Sequence, residues 1–190
     1  MKLLSVNRAT SAPIPTLTGE RVFSAIGKRA VDGAVALTAL GLDGDEQADL
    51  SVHGGLSKAV YAYPSEHYPF WQTVRAQAGA AAWGETLPWG AMGENLSLSG
   101  LLETQVWLGD RLCFDDAELV VSEPRQPCFK FNAVMGFAQA AKLMAQSGYC
   151  GFYLAVKRPG RLRAGAAFRL EPGPREVSIP ELFRLAMRGR

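Results

Sequence analysis

The sequence predicts a mainly β fold, a β-barrel with helical decoration. Two observations carry that expectation. Short runs of alternating or β-rich residues recur at about the 8–12-residue spacing of barrels and sandwiches, with glycine or proline between them. Segments with helical period are few and isolated. A chain of 190 residues, 48% apolar, has material for one well-filled core.

The elements follow in chain order. "AVALTALGLDGD" alternates and stops at Asp43-Gly44, which reads as a strand and a turn. "KAVYAYP" (58–64) is a strand ended by its proline. "SEHYPFWQTVRAQAG" reads as a helix from about Pro69, because proline is tolerated in a first helical turn but removes a hydrogen bond further in. The alanine-rich stretch 76–83 has no clear period and reads as a surface excursion. "ENLSLSG" (94–100) is a strand with Leu96 and Leu98 on one face and serines on the other. "QVWLGDRLCF" reads as two strands joined at Gly109-Asp110, and "AELVVSEP" as one more, ending at Pro124. "GFAQAAKLMAQSG" places Phe137, Ala140, Ala141 and Met144 at helical spacing and closes at Gly148, a C-cap residue. "GFYLAV" and "AAFRL" are strands joined through "KRPGRLRAG". Finally, "SIPELFRLAMRGR" has Ser178 followed by Glu181, a capping-box spacing, and an apolar face of Ile179, Leu182, Phe183 and Leu185. That helix needs an apolar surface, either the barrel or a second subunit in a homodimer.

Composition narrows the function classes. No apolar run approaches the roughly 20 residues that cross a bilayer, and the start lacks the apolar core of a secretory signal. The expectation is a cytoplasmic protein without a membrane partner. Twenty basic and 18 acidic residues leave a net charge of +2, which argues against a dedicated nucleic-acid binder. The local basic run "VKRPGRLR" reads as a solvated face or a site for a small anion. Three cysteines without CxxC spacing argue against a disulfide framework and a zinc site, and two histidines argue against a His-rich metal centre. Any metal would arrive on another group.

Three segments could carry chemistry. In "SEPRQPCFKF" (122–131), Pro124 and Pro127 stiffen the chain and stop the sheet. Cys128 follows, with Arg125 and Lys130 close enough in sequence to favour a thiolate if the loop folds back. The alternative is a buried loop cysteine beside two exposed cations; Cys113 and Cys150, in or beside apolar runs, read as core. In "GLDGDEQADLSVHGGLSKAVYAY" (41–63), His53 precedes Gly54-Gly55 and Lys58 follows, a pattern that can cradle an anion on backbone N–H groups. Tight turns and a histidine bound to a carbonyl explain it equally. In "MGENLSLSGL", Glu94 and Asn95 sit at a strand mouth or in an ordinary turn. GxxxxGK[ST], GxGxxG opening a helix, and GxSxG are all absent.

Taken together, "GLDGDEQADLSVHGGLSKAVYAYPSEHY", "MGENLSLSGLLETQVWLGDRL", "VSEPRQPCFKFN" and "SGYCGFYLAV" resemble, in this order, the MOSC family. The name refers to the C-terminal domain of molybdenum-cofactor sulfurases, and the likeness is to the stand-alone bacterial YiiM-type branch. It runs from about Ser24 to Leu170. The resemblance implies a MOSC-type β-barrel over residues 1–175, then a C-terminal helix (176–190) like the start of a three-helix unit that longer relatives carry. It implies a molybdopterin-type molybdenum cofactor and independence from pyridoxal phosphate. Cys128 falls on the family's motif cysteine, expected to ligate molybdenum or carry sulfur. His53, Lys58, Glu94, Asn95, Arg125 and Lys130 fall on polar motif positions and become candidate cofactor contacts. For this branch the implied activity is reduction of N-hydroxylated compounds, such as hydroxylaminopurines and amidoximes. Electrons would come from a partner reductase or a flavodoxin- or ferredoxin-like protein. A cofactor-binding or sulfur-carrier protein using a Cys128 persulfide is the alternative. One departure stands out: Gly165-Ala166 occupies the place where relatives commonly have Gly-Asp.

Overall fold

The structure, a computed structural model, describes residues 1–47 and 54–188. Strands β1 (Lys2–Arg8), β2 (Ala12–Pro15), β3 (Arg21–Ser24), β4 (Arg29–Ala30), β5 (Ala34–Thr38) and β6 (Gly41–Leu42) come first. β7 (Val60–Pro64), helix α1 (Tyr68–Gln77) and β8 (Leu96–Ser99) follow. Then come β9 (Arg111–Cys113), β10 (Glu118–Pro124), α2 (Phe129–Met135) and α3 (Ala140–Ser147). The chain continues through β11 (Phe152–Arg158), β12 (Gly160–Arg163) and β13 (Arg169–Glu171) to α4 (Ile179–Arg188).

One eight-stranded sheet runs β13-β9-β10-β11-β7-β8-β1-β4, antiparallel throughout except for the parallel pair β7–β8. Its two sides meet at β1. Leu3 N donates to Ala166 O (2.9 Å), Gly165 N to Leu3 O (2.8 Å) and Phe168 N to Met1 O (3.3 Å), and Lys2 bridges Ala167. The segment entering β13 thus pairs with β1 and closes the sheet into a barrel, which removes an exposed edge. The Gly165-Ala166 pair is part of this seam. A three-stranded sheet β12-β5-β6 and the hairpin β2–β3 are set apart from it.

Leu3, Val6, Leu96, Leu98, Leu112, Leu119, Phe152 and Leu154 from the strands are buried, with Trp71 of α1, Phe131 and Met135 of α2 and Met144 of α3. Pro69 lies in the first turn of α1. Helix α3 stops at Gly148, φ 74°, as a left-handed C-cap. At α4, Ser178 N donates to Glu181 Oε2 (2.9 Å) and Glu181 N to Ser178 Oγ (3.4 Å), a reciprocal capping box. Ile179 and Phe183 are buried while Leu185 stays 61% exposed, so α4 lies on the barrel with half its apolar face covered.

Three local expectations are corrected and a fourth is refined. "QVWLGDRLCF" forms one strand, β9; the earlier half pairs instead with the approach to α4, through Leu108 N to Val177 O (3.0 Å) and Ile179 N to Val106 O (2.9 Å). "KRPGRLRAG" is no plain connector. It holds β12, in which exposed Arg161 and Arg163 flank buried Leu162. Residues 34–42 contain two strands, β5 and β6. Ser97, read only as lying on the face opposite Leu96 and Leu98, is buried because it joins a polar cluster with Asn7 and Glu94.

Candidate active site

β10 ends at Pro124, and residues 125–127 lead straight into α2, whose N-cap is Cys128 in extended backbone (φ −134°, ψ 169°). Its carbonyl accepts Phe131 N (3.0 Å), and the thiol, half-buried, faces a cleft. The cleft opens to solvent, and its cavity volume is about 90 Å³. The turn after β3 (Ser24 to Lys28) forms one wall and Asp45 to Gln47, after β6, another. Tyr61 and Tyr153, register partners on β7 and β11 with ring centroids 5.4 Å apart, line the inner side.

Arg125 is turned inward and 4% exposed. Its Nη1 donates to Met92 O (3.1 Å), and its guanidinium lies 5.1 Å from the ring centroids of both Tyr61 and Phe131. Burial alone would disfavour its charge, but Tyr61, Tyr153 and Cys128 hold it above its ordinary value. The cation is permanent and lies against the thiol's loop. Lys130 lines the cleft and donates from Nζ to Phe23 O (3.1 Å). Lys58, also in the lining, pairs with Glu123 (3.3 Å) and lies 5.9 Å from the Tyr153 ring.

The remaining candidates separate. Asn95 lines the cleft, yet its amide is a strut: Oδ1 accepts Tyr61 N (3.0 Å), and Nδ2 donates to Asn7 O (3.2 Å) and Asp45 Oδ2 (2.8 Å). Glu94 is not brought to the cleft. It is fully buried and accepts Tyr68 OH (2.5 Å), Ser97 Oγ (2.6 Å), Gly90 N (2.9 Å) and Met92 N (3.1 Å). Burial pushes its carboxyl up, against the pull of those donors. A cofactor-contact role therefore passes from Glu94 to a clamp on residues 90–92, the segment that presents Met92 O to Arg125. His53 lies outside the described residues. Gly54 (φ 101°) lines the cleft, and Gly55 (φ 75°) leads into a 3-10 turn at Leu56–Lys58.

The sequence reading missed Lys28 and the specific part of Asp45. Lys28 Nζ meets Asp45 Oδ1 at 2.5 Å, with side chains 8% and 4% exposed. Asp45 also accepts Ala9 N (2.9 Å) and the Asn95 amide. Burial lowers the Lys28 ammonium, with Asp45 pulling the other way. A single lysine in "AIGKRA" carries no motif, so spacing offered no signal for it. Cys150 is wholly buried, and burial pushes its thiol well up; burial raises Cys113 as well. No cysteine is disulfide-bonded. Among the described residues no group of three or more His, Cys, Asp or Glu could hold a metal. None of their helices is long and apolar enough to cross a membrane.

The chemistry of this donor set is that of one soft thiol beside cations, around a cleft that is open to solvent. Known proteins resemble this chain over most of its length. The profile of the MOSC domain matches residues 49–169. Protein YiiM of Escherichia coli is 39% identical over 163 residues, which are 86% of this chain and 70% of that protein. A protein named reductase from Gibberella moniliformis is 36% identical over 157 residues, 82% of this chain but 27% of that longer protein. The crystal structure of YiiM from Geobacillus stearothermophilus superposes with a TM-score of 0.76 at 31% identity, covering 99% of this chain and 84% of that one.

Proposed function

The chain belongs to the MOSC domain family, and on that premise we propose that it is a molybdenum-cofactor-dependent reductase of N-hydroxylated compounds in the cytoplasm. Its electrons would come from a separate reductase or a flavodoxin- or ferredoxin-like donor. The observation that carries the reading is the single thiol, Cys128, facing a cleft lined by Arg125, Lys130, Lys58 and Lys28.

Those residues fit a molybdopterin-type cofactor. Cys128 Sγ would be its protein ligand, since thiolates suit soft metal centres. Lys130 would meet the pterin phosphate, where charge-assisted hydrogen bonds are strongest, with Lys58, tied to Glu123, in the same lining. Arg125 is enclosed, so it acts by fixing the loop and its field rather than by touching phosphate. Tyr61 and Tyr153 give the inner wall an aromatic surface. When bound, the cofactor would supply a centre that exchanges two electrons. The net change is R–NH–OH + 2 e⁻ + 2 H⁺ → R–NH₂ + H₂O, so the chain must also deliver protons. The reductase name of the fungal relative accords with this direction.

The test is molybdenum and oxidised pterin per polypeptide, on protein from a cofactor-producing host, beside Cys128→Ser. Near-stoichiometric loading, disturbed in the variant, and turnover of an aromatic amidoxime with reduced viologen would support the proposal. Absence of both metal and pterin, where a control molybdoenzyme loads normally, would overturn it. Single-equivalent sulfur release without turnover would assign Cys128 to a carrier instead.

A further inference from the structure

We propose that Lys28 is the proton donor of this cleft and that Asp45 is the residue that holds its ammonium in place. The inference rests on the reductase reading and adds a role that reading leaves vacant.

Reduction of an N–OH group consumes two protons, and at least one must reach the oxygen as the N–O bond breaks. Four described basic side chains line the cleft, and three are poorly suited. Arg125 does not release protons. Lys130 donates to a backbone carbonyl (Nζ to Phe23 O 3.1 Å), and Lys58 is paired with Glu123 (3.3 Å). Lys58 and Glu123 side chains are 26% and 28% exposed, so water screens them. Lys28 is different. Its side chain is 8% exposed and lines the cleft, and its ammonium is anchored at 2.5 Å on Asp45. Asp45 is itself fixed from two other elements, by Ala9 N (2.9 Å) after β1 and by the Asn95 amide (2.8 Å) before β8. The carboxylate therefore has no need to move when the lysine turns to substrate. Desolvation lowers the ammonium while Asp45, and at longer range Glu94, oppose that shift. Among the described residues, Glu46 and the cations Arg125, Lys58 and Lys130 complete the charged lining. An amine made more acidic by burial is a better acid near neutral pH than a surface lysine.

In the step assigned to Lys28, an Nζ–H proton passes to the hydroxyl oxygen as N–O cleaves, and that oxygen leaves as water. The second proton comes from solvent, the two electrons from the external donor, and Lys28 is reprotonated from water.

The experiment compares wild type, Lys28→Arg, Lys28→Met and Asp45→Asn, each loaded with molybdenum, on an aromatic amidoxime with reduced viologen across pH. Lys28→Arg keeps the positive charge but gives up no proton. The expected result is loading within about twofold of wild type and turnover lowered about 100-fold or more, the usual span of general-acid catalysis. The wild-type rate should fall on the basic side as Lys28 deprotonates. Asp45→Asn should move that fall to lower pH, because Asp45 favours the charged form, and Lys28→Met should abolish it. A readout independent of the cofactor is ¹³C NMR of reductively methylated apo-protein, with Lys28 assigned from Lys28→Arg. Its amine should titrate below the other lysines, and further below in Asp45→Asn. Full activity in Lys28→Arg, loss of cofactor rather than turnover in Lys28→Met, or titration of Lys28 with the surface lysines would each overturn the proposal. Wild-type protein that loads molybdenum but turns over no N-hydroxylated compound overturns the reductase reading, and the proton donor with it.

Discussion

Replacing Glu94 with Gln should destabilise the protein by about 3 kcal/mol while leaving every cleft-lining side chain chemically unchanged. Three donors, Gly90 N, Tyr68 OH and Ser97 Oγ, converge on Oε1, and Met92 N alone reaches Oε2. A glutamine has one acceptor to offer. With its oxygen in the Oε1 position, its NH₂ faces the N–H of Met92; flipped, the two hydroxyls can rotate to accept, but Gly90 N–H is left facing a donor. Either way one buried backbone N–H is orphaned, at about 1–3 kcal/mol. The three retained bonds weaken from charged to neutral acceptor, about 1 kcal/mol each. Relief of the buried charge, which raises the Glu94 carboxyl, returns part of that. The assay is urea unfolding at neutral pH, with m checked for constancy. Exposed Glu20→Gln serves as control and should stay within about 0.5 kcal/mol. A loss below about 1 kcal/mol for Glu94→Gln would refute the clamp.

Other perturbations follow the same physics. Arg125→Met removes a charged hydrogen bond to Met92 O and two aromatic contacts, and should cost about 3 kcal/mol or more in the same urea assay. A near-neutral result would mean that Arg125 does not organise the loop. Lys28 carries a pH signature: because its folded value is lowered from 10.5, the unfolded chain binds more protons between that lowered value and 10.5. Wild type should therefore gain stability over Lys28→Met as pH rises through that window, and a flat difference would count against the burial argument. Gly160→Ala drives a Cβ into the Asp116 carbonyl and should cost about 2 kcal/mol or more by thermal melting, whereas Gly27→Ala, with open space, should be nearly silent.

How much was legible in the sequence depended on whether a residue's role is local. Prolines at 124 and 127 set the end of β10 and the extended approach to Cys128, and the structure has both features. Ser178 and Glu181 cap a helix through contacts three residues apart, so the pattern is in the sequence. Gly148 ends α3 for the same kind of reason. Helix α2 was not legible, because seven residues show less than two turns of period and the run also contains the candidate site. β12 was hidden inside a basic run, since a two-sided strand with one buried Leu162 between arginines looks like a solvated loop. Glu94 and Asn95 were read together as a strand mouth or an ordinary turn, but one turns in and the other reaches across to Asp45, a choice made by partners 34 or more positions distant in Asn95's case. Lys28 acquires its character from burial and from Asp45, 17 positions away, which no local pattern announces.

The cations of the cleft divide by what holds them, and the division bears on their work. Arg125 and Lys130 are held by carbonyl oxygens, of Met92 and Phe23. A carbonyl orients a cation without cancelling its charge. Lys28 and Lys58 are held by carboxylates, Asp45 and Glu123, which largely neutralise them. The uncompensated positive field therefore lies on the Arg125–Lys130 side, along the loop that carries Cys128. An anionic ligand is favoured there, and so is a thiolate. The Lys28 side, nearly neutral as a pair, offers a ligand anion little attraction. What it offers is a proton on an amine whose charge is already poorly tolerated. A cleft that binds charge through one set of side chains and yields protons from another does not need the same lysine for both tasks, which is why charge-conserving Lys28→Arg separates the two roles.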